Sequence, residues 1–390
     1  ASQRWPGVFP MKSNLVRLIL SSRLLSSFVA LAALFFPVAE NVSWMSHPGW
    51  MMGPLFVVIT TLLVNNNRDL QPGRELAILI SLTIALWVGA HIVHSEQVIG
   101  SAAPGFWVFV FSLGLSVWSC TSWLSSLKVT SRVADRLNRL LIPGLFGVWL
   151  LILWEFLVVG FGIPHVLLPA PSVIQEAFAS STDVLMADFR QTVIRAVIPG
   201  FIIGNAVGFV VALLADKIPF LRRGLLPVGN LVSAIPIVGI APIMVMWFGF
   251  DWQSKAAVVV IMTFFPMLVN VIAGLSESGN MELDLMRSYG ATYWQGFFKL
   301  RLPNAMPFIF NALKINSTLA LIGAIVAEFF GTPIVGMGFR ISTEVGRMNI
   351  EMVWASIAVA AMAGSIFYGL LAVLERRVTF WHSSVRKAHS

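Results

Sequence analysis

Long apolar runs constrain this chain more than any other feature of its sequence. About ten stretches approach the roughly 20 mostly apolar residues that a helix needs to cross a bilayer. Hydrophobic residues make up 57% of the 390 residues and charged residues only 11%, whereas an ordinary soluble domain carries about 25% charged residues. Because helices satisfy backbone hydrogen bonds within one segment, the sequence predicts an all-α, polytopic membrane protein.

The predicted spans differ in length and in their content of helix-breaking residues. The first two are the shortest, and the seventh contains Pro236 and Pro242 in its interior. The sixth repeats the pattern G-x-x-x-G, which predicts a close approach to another helix, with a subunit interface as one location. The spans lie near Leu24–Val38, Trp50–Val64, Leu76–Val93, Phe106–Leu127, Leu140–Phe161, Val193–Leu214, Leu226–Phe248, Ala256–Leu275, Ala312–Phe330 and Val353–Leu374.

The distribution of basic residues predicts the orientation of these spans. Lys and Arg cluster in alternate loops, which are expected to be cytoplasmic. Both termini, the linker Lys128–Arg139 and the loop Ser276–Pro303 are therefore predicted to face the cytoplasm. This distribution accounts for the net charge of +8 without nucleic-acid binding. Four arginines in longer outside segments are exceptions: Arg190, Arg195, Arg340 and Arg347.

The loop Ser276–Pro303 is predicted to fold into two short helices. Asn280 is expected to cap the first helix, whose first turn carries acidic residues that the helix dipole favours. Gly290 is expected to end that helix in the left-handed conformation. Thr292 and Gln295 form a capping-box pattern that starts the second helix. The residues alone leave two interpretations open: a docking element for another protein, or an interfacial loop whose aromatic side chains lie among lipid headgroups.

The sequence of this loop resembles a known signature. The run DLMRSYGATYWQGFFKLRLPNAMPFIF is similar to the EAA loop of permeases in binding-protein-dependent ABC transporters. Gly290 matches the signature glycine, and Pro303 matches the proline of its L-P pair. Asp284 stands where the signature has glutamate. Leu285 and Met286 replace two alanines, which is a departure from the family pattern.

Flanking segments narrow the resemblance to permeases of the nitrate/sulfonate/taurine type. The resemblance implies a six-helix type I ABC importer permease core at residues 140–390, with the coupling loop at 276–303. Residues 1–139 have no counterpart in the usual six-span member and are expected to form an accessory module of about four transmembrane helices. The segments that carry the resemblance are Leu167–Phe178, Leu231–Phe250, Ala324–Gly331 and Leu370–Trp381.

The resemblance also implies partners and an ATPase-coupling site. The expected partners are ABC ATPase subunits, a second permease subunit (identical or different) and a periplasmic substrate-binding protein, all at the inner membrane of a bacterium. ATP hydrolysis is expected on the separate ATPase. The expected ATPase-coupling residues are Asp284, Leu285, Met286, Gly290, Ala291, Thr292, Trp294 and Pro303.

Prolines and polar residues within the core spans are candidates for the substrate path. Pro236 removes a backbone hydrogen bond inside a span, which is tolerated where protein or a water-filled cavity satisfies the freed group. The polar candidates have an alternative role in hydrogen bonds between helices, and Glu328 in a structural pair with an arginine. The candidates are Asn230, Ser233, Pro236, Asn270, Asn316 and Glu328.

The sequence offers little for an enzyme. It contains no G-x-x-x-x-G-K-[ST] phosphate-binding loop and no Ser/His/Asp or H-E-x-x-H constellation, and Cys120 is its single cysteine. We therefore expect no catalytic site, cofactor or metal. Two other functions stay open at this point. One is an ion-coupled secondary transporter, which needs titratable groups deep in the bundle; the other is a membrane assembly protein built on a permease core.

Overall fold

The protein is helical throughout its described part. The structure, a computed structural model, describes residues 24–40, 42–64, 72–126, 132–233, 235–331 and 334–381. Within these residues the only β-structure consists of two isolated bridges. The all-α prediction is confirmed. The chain termini and residues 128–131 of the basic linker, on which the predicted orientation depends, lie outside the described residues.

The chain divides into two compact units, residues 1–173 and residues 174–390. The helix Arg132–Gly160 (α5) runs through residue 139, where the sequence predicted a domain boundary. Residues on both sides of that position belong to one continuous helix, which packs against α3 and α4 of the first unit. The basic residues before Leu140 therefore extend an apolar helix and do not interrupt it.

The first unit is a helical bundle with an aromatic core. Trp44, Phe106, Phe109 and Phe156 are fully buried. The Trp44 indole packs edge-on against Phe109, with ring centroids 5.7 Å apart, and its Nε1 donates to the carbonyl of Ala33 at 2.8 Å. The helices are α1 (Leu24–Ala33), α2 (Met52–Leu63), α3 (Pro72–Val93), α4 (Pro104–Ser126) and α5 (Arg132–Gly160).

The second unit holds the core helices and two π-helical segments. The first π segment (Arg190–Val197) joins α7 to α8, and the second (Phe297–Arg301) joins α13 to α14. The helices are α6 (Pro171–Ser180), α7 (Thr182–Phe189), α8 (Ile198–Lys217), α9 (Pro219–Ser233), α10 (Ile237–Phe248), α11 (Trp252–Ser276), α12 (Asn280–Ser288), α13 (Tyr293–Gly296), α14 (Leu302–Glu328), α15 (Met337–Gly346) and α16 (Ile350–Val378).

Helix α11 lies at the centre of the second unit, between α8 and α14. Glycines on α8 allow the close approach that the sequence predicted, and their partner is α11 of the same chain. A Cβ atom on Gly200 would lie 2.8 Å from the carbonyl of Ala256, and one on Gly208 would lie 2.6 Å from that of Phe264. Both distances are well below van der Waals contact, so the two backbones touch here.

Seven helical stretches in the described part are long and apolar enough to cross a membrane. They coincide with seven of the predicted spans. The remaining three predicted spans are shorter apolar helices, Leu24–Ala33, Pro48–Leu63 and Ile237–Phe248, so the predicted total of about ten is not confirmed. The last of the three is short because the predicted span Leu226–Phe248 is interrupted near Pro236, which precedes α10 in extended conformation with φ −61° and ψ 128°.

Candidate functional site

The N-cap of α12, the first helix of the loop, lies one residue earlier than the sequence predicted. Gly279 occupies the N-cap position, and Asn280 is the first helical residue. The side chain of Glu282 reaches back and accepts a hydrogen bond from the backbone N–H of Gly279 at 2.5 Å. The acid therefore takes over the capping role expected of Asn280, while its charge lies at the positive end of the helix.

Gly290 ends α12 as predicted. Its φ is +67°, in the left-handed region that favours glycine. Two backbone hydrogen bonds close the turn: Gly290 N donates to Arg287 O at 2.9 Å, and Ala291 N donates to Met286 O at 3.0 Å. A Cβ atom at this position would meet nothing within 4 Å, so the backbone conformation, and not lack of space, requires the glycine.

The predicted capping box at the start of α13 is present. Thr292 Oγ1 accepts from Gln295 N at 3.4 Å, and Gln295 Oε1 accepts from Thr292 N at 2.8 Å. Because each residue satisfies the other's free amide, this short helix has a fixed start. The angle between the two short helices is thus set by backbone chemistry within a few residues of Gly290.

The loop presents an exposed apolar surface. The side chains of Leu285, Tyr289, Trp294 and Phe298 are exposed. The Trp294 and Phe298 rings stack with centroids 5.8 Å apart. Phe297 points the other way and is buried among residues of α8, α11 and α14. The loop is therefore attached to the membrane helices on one side and open to a partner on the other.

A buried ion pair connects this loop to two core helices, and sequence reasoning missed it. Arg301, in the second π segment, donates two hydrogen bonds to the carboxylate of Asp216 on α8, at 2.7 and 2.8 Å. It also donates to the carbonyl of Leu275 on α11 at 3.1 Å. The Asp216 side chain is 6% exposed and that of Arg301 is 18% exposed. A bidentate pair of this kind fixes direction as well as distance.

Lys217 adds a second contact between α8 and the loop. Its Nζ lies 4.4 Å from the centre of the Trp294 ring and 5.1 Å from that of Tyr293. These distances are those of cation–π interactions. A cavity of about 220 Å3 lies beside these residues and is lined mainly by apolar side chains. The loop and the end of α8 are therefore in direct contact.

The predicted substrate-path residues do not converge on one surface. Pro236 is exposed, whereas Asn316 and Glu328 are buried. Asn316 donates to Asn205 Oδ1 at 2.6 Å and to the carbonyl of Thr263 at 2.7 Å, which joins α14 to α8 and α11. Its hydrogen bonds are those of the alternative role, a contact between helices.

The remaining path candidates give less information. Asn270 is half-buried and accepts from Asn311 Nδ2 at 3.3 Å. Its own amide donates to the carbonyl of Pro266 one turn earlier in α11. The side chains of Asn230 and Ser233 lie outside the described residues. The substrate path therefore stays a prediction.

Glu328 is part of a buried network at the end of the core opposite the loop. Its Oε1 accepts from Thr192 Oγ1 at 2.8 Å, and its Oε2 accepts from Gly338 N at 2.6 Å. Thr192 also accepts from Met337 N at 2.9 Å. The first amides of α15 are thus bonded to the first π segment and to the end of α14. Glu328 thus accepts these hydrogen bonds from a hydroxyl and a backbone amide, not from the arginine that the sequence suggested.

The arginine expected near this network has a different partner. Arg340 Nε donates to Asp188 Oδ2 at 2.8 Å, and Asp188 Oδ1 also accepts from Gly336 N at 2.8 Å. Asp188 is completely buried. Sequence reasoning missed Asp188, since a lone acid at the end of a short helix has no local pattern that reveals a partner 152 residues away.

The fold and the loop together define a multi-pass helical membrane protein. Its loop exposes two short helices, α12 and α13, and is held to the core helices by the Arg301 ion pair. Residues 204–380 match the family model described as "binding-protein-dependent transport system inner membrane component". This part of the chain therefore carries the domain of that family, and the curated proteins that the chain resembles are permease proteins of transport systems, among them those for formylaminopyrimidine, aliphatic sulfonates and taurine.

Part of this chain matches most of the length of several curated relatives. A probable ABC transporter permease protein of Haemophilus influenzae is 28% identical, over 59% of this chain and 93% of that protein. The formylaminopyrimidine transport permease protein ThiX of Halalkalibacterium halodurans is 29% identical, over 61% and 95%. The taurine transport system permease protein TauC of Escherichia coli is 28% identical, over 54% and 72%. This chain therefore has a large part beyond the matched region.

Proposed function

We propose that this chain forms the translocation path of an ATP-driven importer and that its loop 276–303 is the docking site for a separate ATPase subunit. The observation that carries the proposal is the geometry of the loop. Its aromatic face is exposed, its two helices are fixed around Gly290, and Arg301 connects it to Asp216 and α11. Movement of a partner on this surface would reach the membrane helices through a short, rigid connection.

The proposed docking site implies where the remaining partners would bind. The loop and both termini face the cytoplasm of a bacterium, in accordance with the basic loops. A periplasmic binding protein delivers a small solute at the opposite end. A second permease subunit completes the path, since α10 presents a row of exposed apolar residues, including Met246 and Trp247. ATP is hydrolysed on the partner ATPase, because the chain has no phosphate-binding loop.

Residues 1–139 are proposed to be an accessory module outside the path. The match to the Haemophilus influenzae relative covers 93% of that protein with only 59% of this chain. A protein described as a probable permease is therefore matched over nearly its whole length without the rest of this chain. The aromatic core of the first unit is suited to a bundle that stays packed, and not to helices that part around a solute.

The experiment that tests the docking site uses two glycines of the same loop. Gly290→Val places a β-branched residue at φ +67°, which costs about 1–2 kcal/mol and should tilt α13 away from its partner. Gly296→Val is the matched control, because Gly296 has helical φ −62° and a Cβ there also meets nothing within 4 Å. Each variant is co-expressed with its ATPase, and the amount of co-purified ATPase and ATP-dependent uptake are measured.

The expected result is loss of ATPase and of uptake together in Gly290→Val, with normal insertion and unfolding temperature. Gly296→Val should retain most of both. Equal ATPase recovery in wild type and Gly290→Val would contradict the docking site. Uptake that survives complete removal of the ATPase would contradict the importer and favour an ion-coupled transporter.

A further inference from the structure

A cavity of about 570 Å3 lies at the end of the core opposite the loop, where the first π segment meets the start of α11. Arg190, Gln191 and Arg195 line it from the π segment, and Phe250 and Asp251 line it from the turn before α11. Helix α11 runs 25 residues from Trp252 at this end to the loop, roughly 38 Å at 1.5 Å per residue. The cavity and the ATPase-docking loop are thus separate sites.

The cavity explains two of the four arginines that break the predicted charge distribution. Two of the four are compensated at this end of the core: Arg340 pairs with buried Asp188 at 2.8 Å, and Arg347 pairs with Glu344 at 3.2 Å. The other two, Arg190 and Arg195, both line the cavity. Charged groups near a membrane tend to be paired or functional.

The two cavity arginines have no carboxylate partner in the described part of the chain. Arg195 donates to the amide oxygen of Gln191 at 3.2 Å, and Arg190 has no hydrogen bond or ion pair there. The single acid of the lining, Asp251, is already bonded to the Gln191 amide at 3.0 Å and to Trp252 N at 2.7 Å. The lining therefore carries a net charge of +1 with two guanidinium groups free to donate.

Gln191 shows that the site is built and not only a charged surface. Its side chain is buried and joins the two charges, since its oxygen accepts from Arg195 while its nitrogen donates to Asp251. The Gln191 amide is thus hydrogen-bonded to both the Arg195 guanidinium and the Asp251 carboxylate. A π-helical segment, a feature often found at functional sites, turns these side chains toward one space.

We propose that this cavity binds a small oxyanion, the sulfonate, carboxylate or bicarbonate group of a solute, before it enters the path. The inference deepens the proposed function and rests on it for the statement that the ligand is cargo. Guanidinium groups match the geometry of such oxyanions with paired N–H donors. Lipid phosphate offers similar chemistry, so the test must separate a soluble ligand from a headgroup.

The test measures equilibrium binding of radiolabelled methanesulfonate to the purified full-length chain in phosphatidylcholine nanodiscs. Arg190→Gln and Arg195→Gln should each weaken binding about tenfold, because each removes a charge-assisted hydrogen bond. Arg347→Gln is the matched control: it removes the same charge from the same end of the core, outside the cavity, and should leave binding unchanged. Asp251→Asn should tighten binding, since it removes the opposing charge while asparagine still caps α11.

Three results would overturn the proposal. They are absence of methanesulfonate binding to wild type, an equal loss in Arg347→Gln, and competition by the neutral isostere dimethyl sulfone. Addition of phosphatidylglycerol to the nanodiscs distinguishes the source: displacement of methanesulfonate would assign the cavity to headgroups and contradict a soluble ligand. Recovery of the ATPase is measured in every variant. A wild-type chain that retains the ATPase but does not bind methanesulfonate contradicts this inference alone, whereas a wild-type chain that does not retain the ATPase contradicts the proposed function.

Discussion

The two π-helical segments of the second unit differ in how they use their arginines. In the second segment Arg301 is nearly buried, and its donors are occupied by Asp216 and by a backbone carbonyl. In the first segment Arg190 and Arg195 are exposed and have no carboxylate partner among the residues that the structure describes. An arginine whose donors are occupied by protein groups is suited to a mechanical connection, and an arginine with unoccupied donors is suited to binding a ligand. The same backbone irregularity thus fits the two proposed roles at opposite ends of α11.

Removal of the carboxylate at the closed arginine should have the largest effect. Asp216→Ala leaves Arg301 buried without its partner, and breaking a buried pair in this way costs about 3–5 kcal/mol. We expect a lower unfolding temperature of the chain in nanodiscs together with loss of ATPase recovery. Thermal unfolding and co-purification measure the two effects.

A double variant separates stability from coupling. Asp216→Leu with Arg301→Met replaces the pair by apolar side chains and should regain most of the stability, as such replacements often do. It should not regain coupling, because the direction fixed by the bidentate contact is lost. Full coupling in the double variant would show that the ion pair is not the connection and would remove the contrast between the two segments.

A substitution on the buried side of the first π segment should have an intermediate effect on the stability of the chain. Thr192→Val keeps the shape of the side chain but leaves Glu328 Oε1 without a donor and Met337 N without an acceptor, which costs about 1–3 kcal/mol. Thermal unfolding measures the loss. Thr318→Val is the control, since the Thr318 hydroxyl is exposed and bonds only within its own helix. An equally small loss in both would mean that the network around α15 adds no stability.

Local chemistry explains which parts of the site could be predicted from the sequence. Gly290, Thr292 and Gln295 act through hydrogen bonds within four residues, so their pattern is visible in the chain. The pair of Asp216 with Arg301 spans 85 residues. No sequence pattern near either residue indicates its partner, and their contact depends on how α8, α11 and the loop pack.

The same distinction explains the predicted spans. Hydropathy reports how apolar a segment is, and it predicted the long helices well. It does not report a turn inside an apolar run, so Leu226–Phe248 was predicted as one span although α9 and α10 are separate helices. Pro236 was the local signal for that break. The G-x-x-x-G repeat predicted a close contact, but the identity of the partner helix, α11, required the structure.

An ion pair between the end of α3 and α5 in the first unit gives a third case for comparison and the smallest expected effect. His94, just after α3, lies 2.9 Å from Glu155 Oε1 on α5, and Ser172 Oγ donates to the same carboxylate at 2.6 Å. The hydrogen bond to Glu155 raises the pKa of His94, although partial burial opposes the shift. The folded state therefore favours protonated His94.

The sign of the pH dependence follows from that raised pKa. The stability that this contact adds is fully present below the ordinary histidine pKa of about 6.5 and is lost as pH rises through the pKa of His94 in the folded protein. Unfolding temperatures between about pH 5.5 and 8.5 should fall in wild type and vary less in His94→Gln. His91→Gln is the control, because His91 stacks on Trp87 one turn earlier and should leave the wild-type profile intact. ATPase recovery should not change in either variant, since both histidines belong to the first unit and lie outside the two π segments. A loss of coupling in His94→Gln would show that charge contacts outside the π segments also transmit motion.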